Sequence, residues 1–142
     1  MVEIDLRRVA LGGDTVATRR ALAAAVLLWL ASFTVFAAAG LVPGGDLPVR
    51  FYLPVLVVML LAGATAAAAD AGLLASLALA TAPAAGYYLS LSAFGLGGPV
   101  RTSLVDAAGL SLLFGVPVGA VGYLAGRTVV VAGRRLGEST TA

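Results

Sequence analysis

The stretch of sequence that decides the fold is residues 103–126, which read SLVDAAGLSLLFGVPVGAVGYLAG. It contains one charged residue, Asp106, and it is long enough to cross a bilayer as a helix, because a span takes about 20 apolar residues. Four of its glycines fall on one helical face, since they are spaced by four, three and four residues: Gly115, Gly119, Gly122 and Gly126. We therefore predict a transmembrane helix with one flat face.

Three further apolar stretches come before this one and predict the architecture. They cover residues 21–41, 51–69 and 72–93. Loops rich in glycine and proline follow the first and the third, and a tight turn joins the second to the third, with Asp70 as the expected N-cap of the next helix. The fold class that we predict is all-α: a polytopic membrane protein built as a four-transmembrane-helix bundle.

The two ends of the chain are expected to lie outside the bilayer. Residues 1–20 form an N-terminal arm, in which Gly12 and Gly13 would end a short surface helix and Asp14 would cap the first span. A partly ordered, solvated arm is the alternative. Residues 127–142 form a C-terminal tail, of which residues 137–142 are expected to be disordered.

Composition places the chain in the membrane class and excludes much chemistry. Of its 142 residues, 61% are hydrophobic and 11% are charged, whereas soluble domains average about 45–50% and about 25%. Cysteine, histidine, lysine, asparagine and glutamine are missing from the sequence. Disulfides, the usual zinc and haem ligands and Schiff-base chemistry are therefore excluded. Because no nucleophile–base motif is visible either, we expect a non-enzymatic protein without cofactor or metal.

Arginine placement predicts the orientation. Arg50 and Arg101 lie in the two outer loops, and seven arginines flank the other side of the predicted bundle: Arg7, Arg8, Arg19, Arg20, Arg127, Arg134 and Arg135. The positive-inside rule then puts both termini of a multi-pass cell-membrane protein in the cytoplasm. We interpret Arg19 and Arg20 as part of this anchor and not as a twin-arginine export signal, because cleavage would leave mostly spans. The partner for this charge is anionic lipid, not nucleic acid.

The two outer loops resemble each other. The fragments GL, GG and PVR occur in the same order in residues 40–50 and 95–101. This order suggests two tandem copies of a helical hairpin, with Arg50 and Arg101 in equivalent places. The alternative is that outer loops are rich in glycine and proline in any case.

The glycines of the fourth span are the first candidate site. Gly-x-x-x-Gly occurs at 115/119 and 122/126, and Ala108 and Ser111 extend the small-residue face. Such a face marks a helix contact, because close backbone approach supplies the packing energy that lipid does not. The sequence leaves open whether the contact forms inside one chain or between subunits.

A second candidate is Asp106, the one carboxylate that falls inside a predicted span. Three roles are open for it. It forms a capping box with Ser103, or an ion pair with Arg101 or Arg50, or a proton or substrate site, since a carboxylate in a membrane is costly and marks function by default.

The tyrosine pair Tyr87 and Tyr88 is a third candidate, nearer to mid-depth in the third span. Buried tyrosine hydroxyls need hydrogen-bond partners. The two side chains either pack structurally or line a wet pocket together with Thr81.

Two functions fit these observations. The first is an accessory or structural subunit, or a self-associating one, which packs through its glycine face against a membrane-protein partner or another copy. The alternative is a small transporter or permeation component that works as a dimer of duplicated hairpins. Four spans in a short chain resemble the small multidrug-resistance exporters, but those rely on a glutamate in the first span, and residues 21–41 contain none. We therefore do not assign the chain to them.

Overall fold

The computed structural model describes residues 5–42, 52–94 and 103–140. Five helices account for almost all of them: α1 (Leu6–Leu11), α2 (Thr15–Leu41), α3 (Tyr52–Ala68), α4 (Leu73–Phe94) and α5 (Leu104–Thr140). No strand occurs within these three ranges. The all-helical fold class is therefore confirmed for the described part of the chain.

Short-range capping determines where the first two helices begin and end. Gly12 adopts φ +82°, a conformation that favours glycine, and ends α1. Asp14 caps α2, because its carboxylate accepts hydrogen bonds from the backbone N–H groups of Val16 at 2.8 Å and Ala17 at 3.2 Å. The short helix, its stop at Gly12 and the cap at Asp14 are thus present, while the position of the helix on a membrane surface stays a prediction.

Among the described residues, three helices are long and apolar enough to cross a membrane: Thr15–Leu41, Leu73–Phe94 and the Leu104–Gly137 part of α5. α3 is apolar but has 17 residues. At 1.5 Å per residue it extends about 26 Å, against a hydrocarbon core of about 30 Å. A membrane bundle is compatible with this structure, and α3 as a fourth span stays a prediction.

Helix α4 is the centre of the arrangement. It packs against α2 on one side and against α3 and α5 on the other, and α5 also packs along α3. α2 barely touches α3. The molecule is therefore a three-helix cluster with α2 attached through α4, and not the evenly packed bundle that four spans suggest.

The two hairpins are not packed alike. The helices of the first, α2 and α3, are almost out of contact, whereas those of the second, α4 and α5, contact each other extensively. This difference argues against the predicted duplication. Most of the two loops that suggested it lies outside the described residues.

Small side chains fill the interior and large ones cover the outside. Ala67, Ala71, Ala80 and Ala107 are completely buried. Large apolar side chains are exposed on the outer faces of three helices, for example Leu27, Leu61, Leu113 and Leu124. This distribution suits a bilayer, because lipid solvates the large side chains while small ones let helix backbones approach closely.

Helix α5 runs far beyond the predicted end of its span. It continues from Gly126 through Arg127 to Thr140. The tail predicted for residues 127–142 is therefore helical up to residue 140, and the disorder expected for residues 137–140 is wrong. The physical reason is that no proline follows Gly126, and isolated glycines such as Gly133 cost a helix only about 1 kcal/mol each.

Candidate functional site

The four predicted packing residues are buried inside the molecule and form the glycine face of α5: Gly115, Gly119, Gly122 and Gly126. Ala107 and Ser111 continue this face toward the start of the helix and are buried as well. Ala108, which we expected in this row, is exposed. Ala107 takes the place because it lies four residues before Ser111 and therefore on the same side of the helix.

The first half of the glycine face packs on α4. A methyl group added at Gly115 would lie 2.7 Å from Cγ2 of Thr81, and one added at Gly119 would lie 3.0 Å from Cβ of Ala80. Both distances are too short for an ordinary contact between carbon atoms. Only glycine allows α5 to approach α4 this closely.

The second half of the glycine face packs on α3. A methyl group added at Gly122 would lie 2.8 Å from the carbonyl oxygen of Leu60, and one added at Gly126 would overlap the carbonyl oxygen of Ala64. Two helices of the same chain therefore cover the whole face. The contact that the sequence left open is intramolecular here, and the covered face leaves no room for a second copy.

Gly86 on α4 is a further packing residue, which the glycine pattern of α5 does not indicate. A methyl group added there would lie 2.7 Å from the backbone nitrogen of Phe33 and 2.9 Å from the carbonyl oxygen of Trp29, both on α2. The signal was present as Ala82-x-x-x-Gly86, a spacing of two small residues that brings helices together. Gly86 thus lets α4 pack closely against α2, as the glycine face lets α5 pack closely against α3 and α4.

Asp106 forms the capping box. Its Oδ2 accepts hydrogen bonds from the Ser103 hydroxyl at 2.7 Å and the Ser103 backbone N–H at 3.3 Å, while the Ser103 hydroxyl oxygen accepts from the Asp106 N–H at 3.1 Å. Asp106 is exposed at the start of α5. Arg50 and Arg101, the other predicted partners, lie outside the described residues. These reciprocal hydrogen bonds explain the presence of a carboxylate at this position, because they cap the start of α5.

Tyr87 and Tyr88 belong to a row of aromatic rings that links three helices. The centroid of Tyr87 lies 4.9 Å from that of Phe36 on α2 and 5.1 Å from that of Tyr88, which lies 6.1 Å from Phe114 on α5. Thr81 lies against Gly115 instead, about two turns away along α4. The structure therefore places the two tyrosines among aromatic rings, while Thr81 contacts Gly115.

An ion pair that the sequence does not predict lies at the turn between α3 and α4. Nη1 of Arg127 on α5 donates to Oδ1 of Asp70 at 2.9 Å, and the two side chains are 47% and 42% exposed. Asp70 has φ +58° and is therefore a turn residue. The N-cap expected of its side chain is wrong, because α4 begins at Leu73, so that Gly72 and not Asp70 directly precedes the helix.

The same turn holds the start of the chain in place. Gly12 and Gly72 lie back to back with positive φ, so closely that a methyl group on either would overlap the backbone of the other segment. The hydroxyl of Thr18 is within hydrogen-bonding distance of the carbonyl oxygens of Leu11 at 2.9 Å and Ala71 at 3.0 Å. α1, the start of α2, the α3–α4 turn and Arg127 thus meet at one end of the molecule, which we call the arginine-rich end.

In the described part of the chain α2 packs mainly on α4, and two openings between described residues lie beside it. The first, the α2–α5 groove, has a volume of about 500 Å³ and is apolar. Its floor is made by α4 alanines at positions 78, 82 and 85, and its walls by Val26 and Trp29 of α2 and by Leu112 and Val116 of α5.

The second opening, the α2–α3 cleft, lies toward the arginine-rich end and has a volume of about 420 Å³. It combines charged, hydroxyl and small apolar side chains: Asp14, Arg20, Ala24, Thr65 and Ala66 are among its lining residues. It is the more polar of the two openings.

No group of three or more histidine, cysteine, aspartate or glutamate residues that could hold a metal ion occurs in the described ranges. The buried hydroxyls of Ser76 and Ser111 donate to carbonyl oxygens one turn back, at 2.9 Å and 2.6 Å, and that of Ser90 donates to Tyr87 O at 2.7 Å. Each of these three hydroxyls is therefore hydrogen-bonded within its own helix. Comparison of the chain with protein-family models, with curated proteins and with solved structures finds no match.

Proposed function

We propose that this protein is a non-enzymatic, four-span integral membrane protein of the cell membrane with both termini in the cytoplasm, and that it acts as an accessory or structural subunit for a membrane-protein partner. The second span along the chain is then α3, which lies against α4 and α5 and has no charged residue along its 17 residues. Modest bilayer thinning accommodates a helix that is slightly short.

The arrangement of charges supports the orientation. The helix ends that carry Arg7, Arg8, Arg19 and Arg20 come together with Arg127 at the arginine-rich end. Such a concentration of arginine belongs on the cytoplasmic side. An even number of spans follows, because α2 starts and α5 leaves at this same end.

The observation that carries the accessory role is the α2–α5 groove. The glycine face is covered by α3 and α4, so it is not the partner surface. The groove is concave and apolar, and its alanine floor would let another helix backbone come close while Trp29 and Val116 flank it. The occupant that we propose is one transmembrane helix of a different subunit.

The interior favours this role over transport. In the described residues, the buried polar side chains are three serines, and each is bonded to its own helix. A transporter site needs polar or charged groups facing a cavity near the middle of the bilayer. The transporter alternative therefore lacks a supporting feature in this part of the chain.

Site-specific crosslinking tests the proposal, and the absence of natural cysteine makes single-cysteine variants simple to interpret. Ala78→Cys places the probe on the groove floor, and Val57→Cys on α3, outside the groove, is the matched control. In native membranes we expect one defined chain crosslinked to position 78 and not to position 57. A crosslink between two copies of this chain at position 78, or equal products from both variants, contradicts the proposal.

A further inference from the structure

The α2–α3 cleft has two chemically different parts. Asp14 and Arg20, near the start of α2, and Thr65, near the end of α3, provide polar groups, while Ala24 and Ala66 provide an apolar wall. The cleft exists because α2 leans on α4 and leaves α3 almost untouched. An opening that is polar at one end and apolar along its length matches an amphipathic ligand.

Arg20 is the group that gives the cleft its ligand preference. Its side chain is exposed. The ion pair found among the described residues joins Arg127 to Asp70, so Arg20 forms no ion pair with a described carboxylate. Arginine binds phosphate with two parallel, charge-assisted hydrogen bonds. A free guanidinium beside the alanine wall of the cleft therefore favours a phosphate that carries acyl chains.

Asp14 opposes an anion and has to be included. One of its oxygens, Oδ1, accepts from the backbone N–H groups of Val16 and Ala17, so the carboxylate is held at the start of α2. Its negative charge weakens the attraction of Arg20 for phosphate. Removal of that charge, with the cap retained, should therefore strengthen binding.

We propose that the α2–α3 cleft binds one anionic phospholipid, with its phosphate on Arg20 and an acyl chain along the alanine wall. The volume of about 420 Å³ lies within the range of small-molecule sites. This inference rests on the membrane location proposed above, and it is independent of the partner in the α2–α5 groove.

Native mass spectrometry of the full chain, released from detergent and titrated with lipid, tests the site. We expect one molecule of phosphatidylglycerol to bind at least about tenfold more tightly than phosphatidylcholine, a difference of about 1.4 kcal/mol. Inorganic phosphate at the same concentration should not displace it. Equal binding of the two lipids, or displacement by phosphate alone, overturns the proposal.

Neighbouring residues supply matched controls. Arg20→Gln should weaken phosphatidylglycerol binding about tenfold, whereas Arg19→Gln, one residue away and outside the cleft, should leave it unchanged. Asp14→Asn keeps a capping side chain and should tighten binding severalfold. Equal effects of the two arginine substitutions would show diffuse attraction to the surface and refute a defined site.

The apolar wall has its own pair of variants. Ala24→Leu fills the cleft and should reduce the bound lipid severalfold, while Ala23→Leu, outside it, should not. Equal binding by the two variants contradicts the proposed path of the acyl chain. Because binding is measured on the isolated chain, a failure here is separate from a missing crosslink at position 78.

Discussion

Gly126 and Gly133 lie about two turns apart on α5, yet an added methyl group would meet opposite surroundings. At Gly126 it would overlap the carbonyl oxygen of Ala64, and at Gly133 it would find no atom within 4 Å beyond its chain neighbours and the backbone of its own helix. At the scale of single residues, the close packing of α5 on α3 and α4 thus depends on glycines, which have no side chain. The periodicity of the sequence identifies which glycines share a face, but not which helix covers it.

This contrast gives the first prediction. Gly126→Ala should lower the free energy of unfolding in detergent by about 1–3 kcal/mol, because the added methyl group forces α5 away from α3. Gly133→Ala should raise it by up to about 1 kcal/mol, because alanine favours a helix and the site is open. Denaturant unfolding followed by circular dichroism measures both, and shifts in the same direction would contradict this account of the face.

The capping box at the start of α5 gives the second prediction. Ser103→Ala and Asp106→Ala should each lower the unfolding free energy by about 1 kcal/mol, and the double variant should lose less than the sum, because the two residues satisfy each other. A double-mutant cycle measures the coupling. Strictly additive losses would show that the reciprocal bonds contribute nothing.

Helix caps can be predicted from the sequence. The caps at Asp14 and Asp106 involve residues two or three positions apart, so their chemistry is written in a short motif. The Asp70–Arg127 pair joins residues 57 positions apart. Its formation depends on how α3, α4 and α5 pack, which no short motif contains.

At the scale of whole elements, the connection between α1 and the α3–α4 turn is the clearest long-range contact outside the spans. The sequence predicts that Gly12 ends α1, but not that it packs against Gly72. A glycine that ends a helix and a glycine that lets two backbone segments approach closely cannot be told apart in a sequence. The length of α5 was also missed, since a charge such as Arg127 marks the edge of a bilayer and not the end of a helix.

Substitution of Gly12 tests this connection. Gly12→Ala places a methyl group against the Asp70 carbonyl oxygen at a positive φ, so α1 should detach from the turn. Trypsin should then cleave after Arg8 about tenfold faster, while cleavage after Arg134, far along α5, serves as the internal control. Unchanged cleavage after Arg8 would mean that the glycine contact does not hold α1.

At the scale of the whole molecule, composition and arginine placement predict a membrane protein, and the structure supplies the exposed apolar surface that such a protein needs. What the sequence could not supply is the position of α2. Its apolar residues surround the helix and do not form one stripe, so no face could be assigned to a neighbour. The two openings beside α2 follow from that position and were therefore not predictable.

The four-span topology can be tested on the same cysteine-free background. Gly97→Cys in the second outer loop should react with a membrane-impermeant maleimide in intact cells, whereas Ser139→Cys at the end of α5 should react only after permeabilisation. This result follows from an even number of spans with both termini in the cytoplasm. Labelling of position 139 in intact cells would contradict the topology.

The measurement that tests the accessory role most directly is the mass of the assembly purified in a mild detergent, with every chain identified. We predict one copy of this protein bound to a different membrane protein, and an unchanged assembly when Arg20 is replaced by glutamine, because the lipid cleft and the partner groove lie on different sides of α2. A stable homodimer, or a lone chain under all mild conditions, would contradict the account.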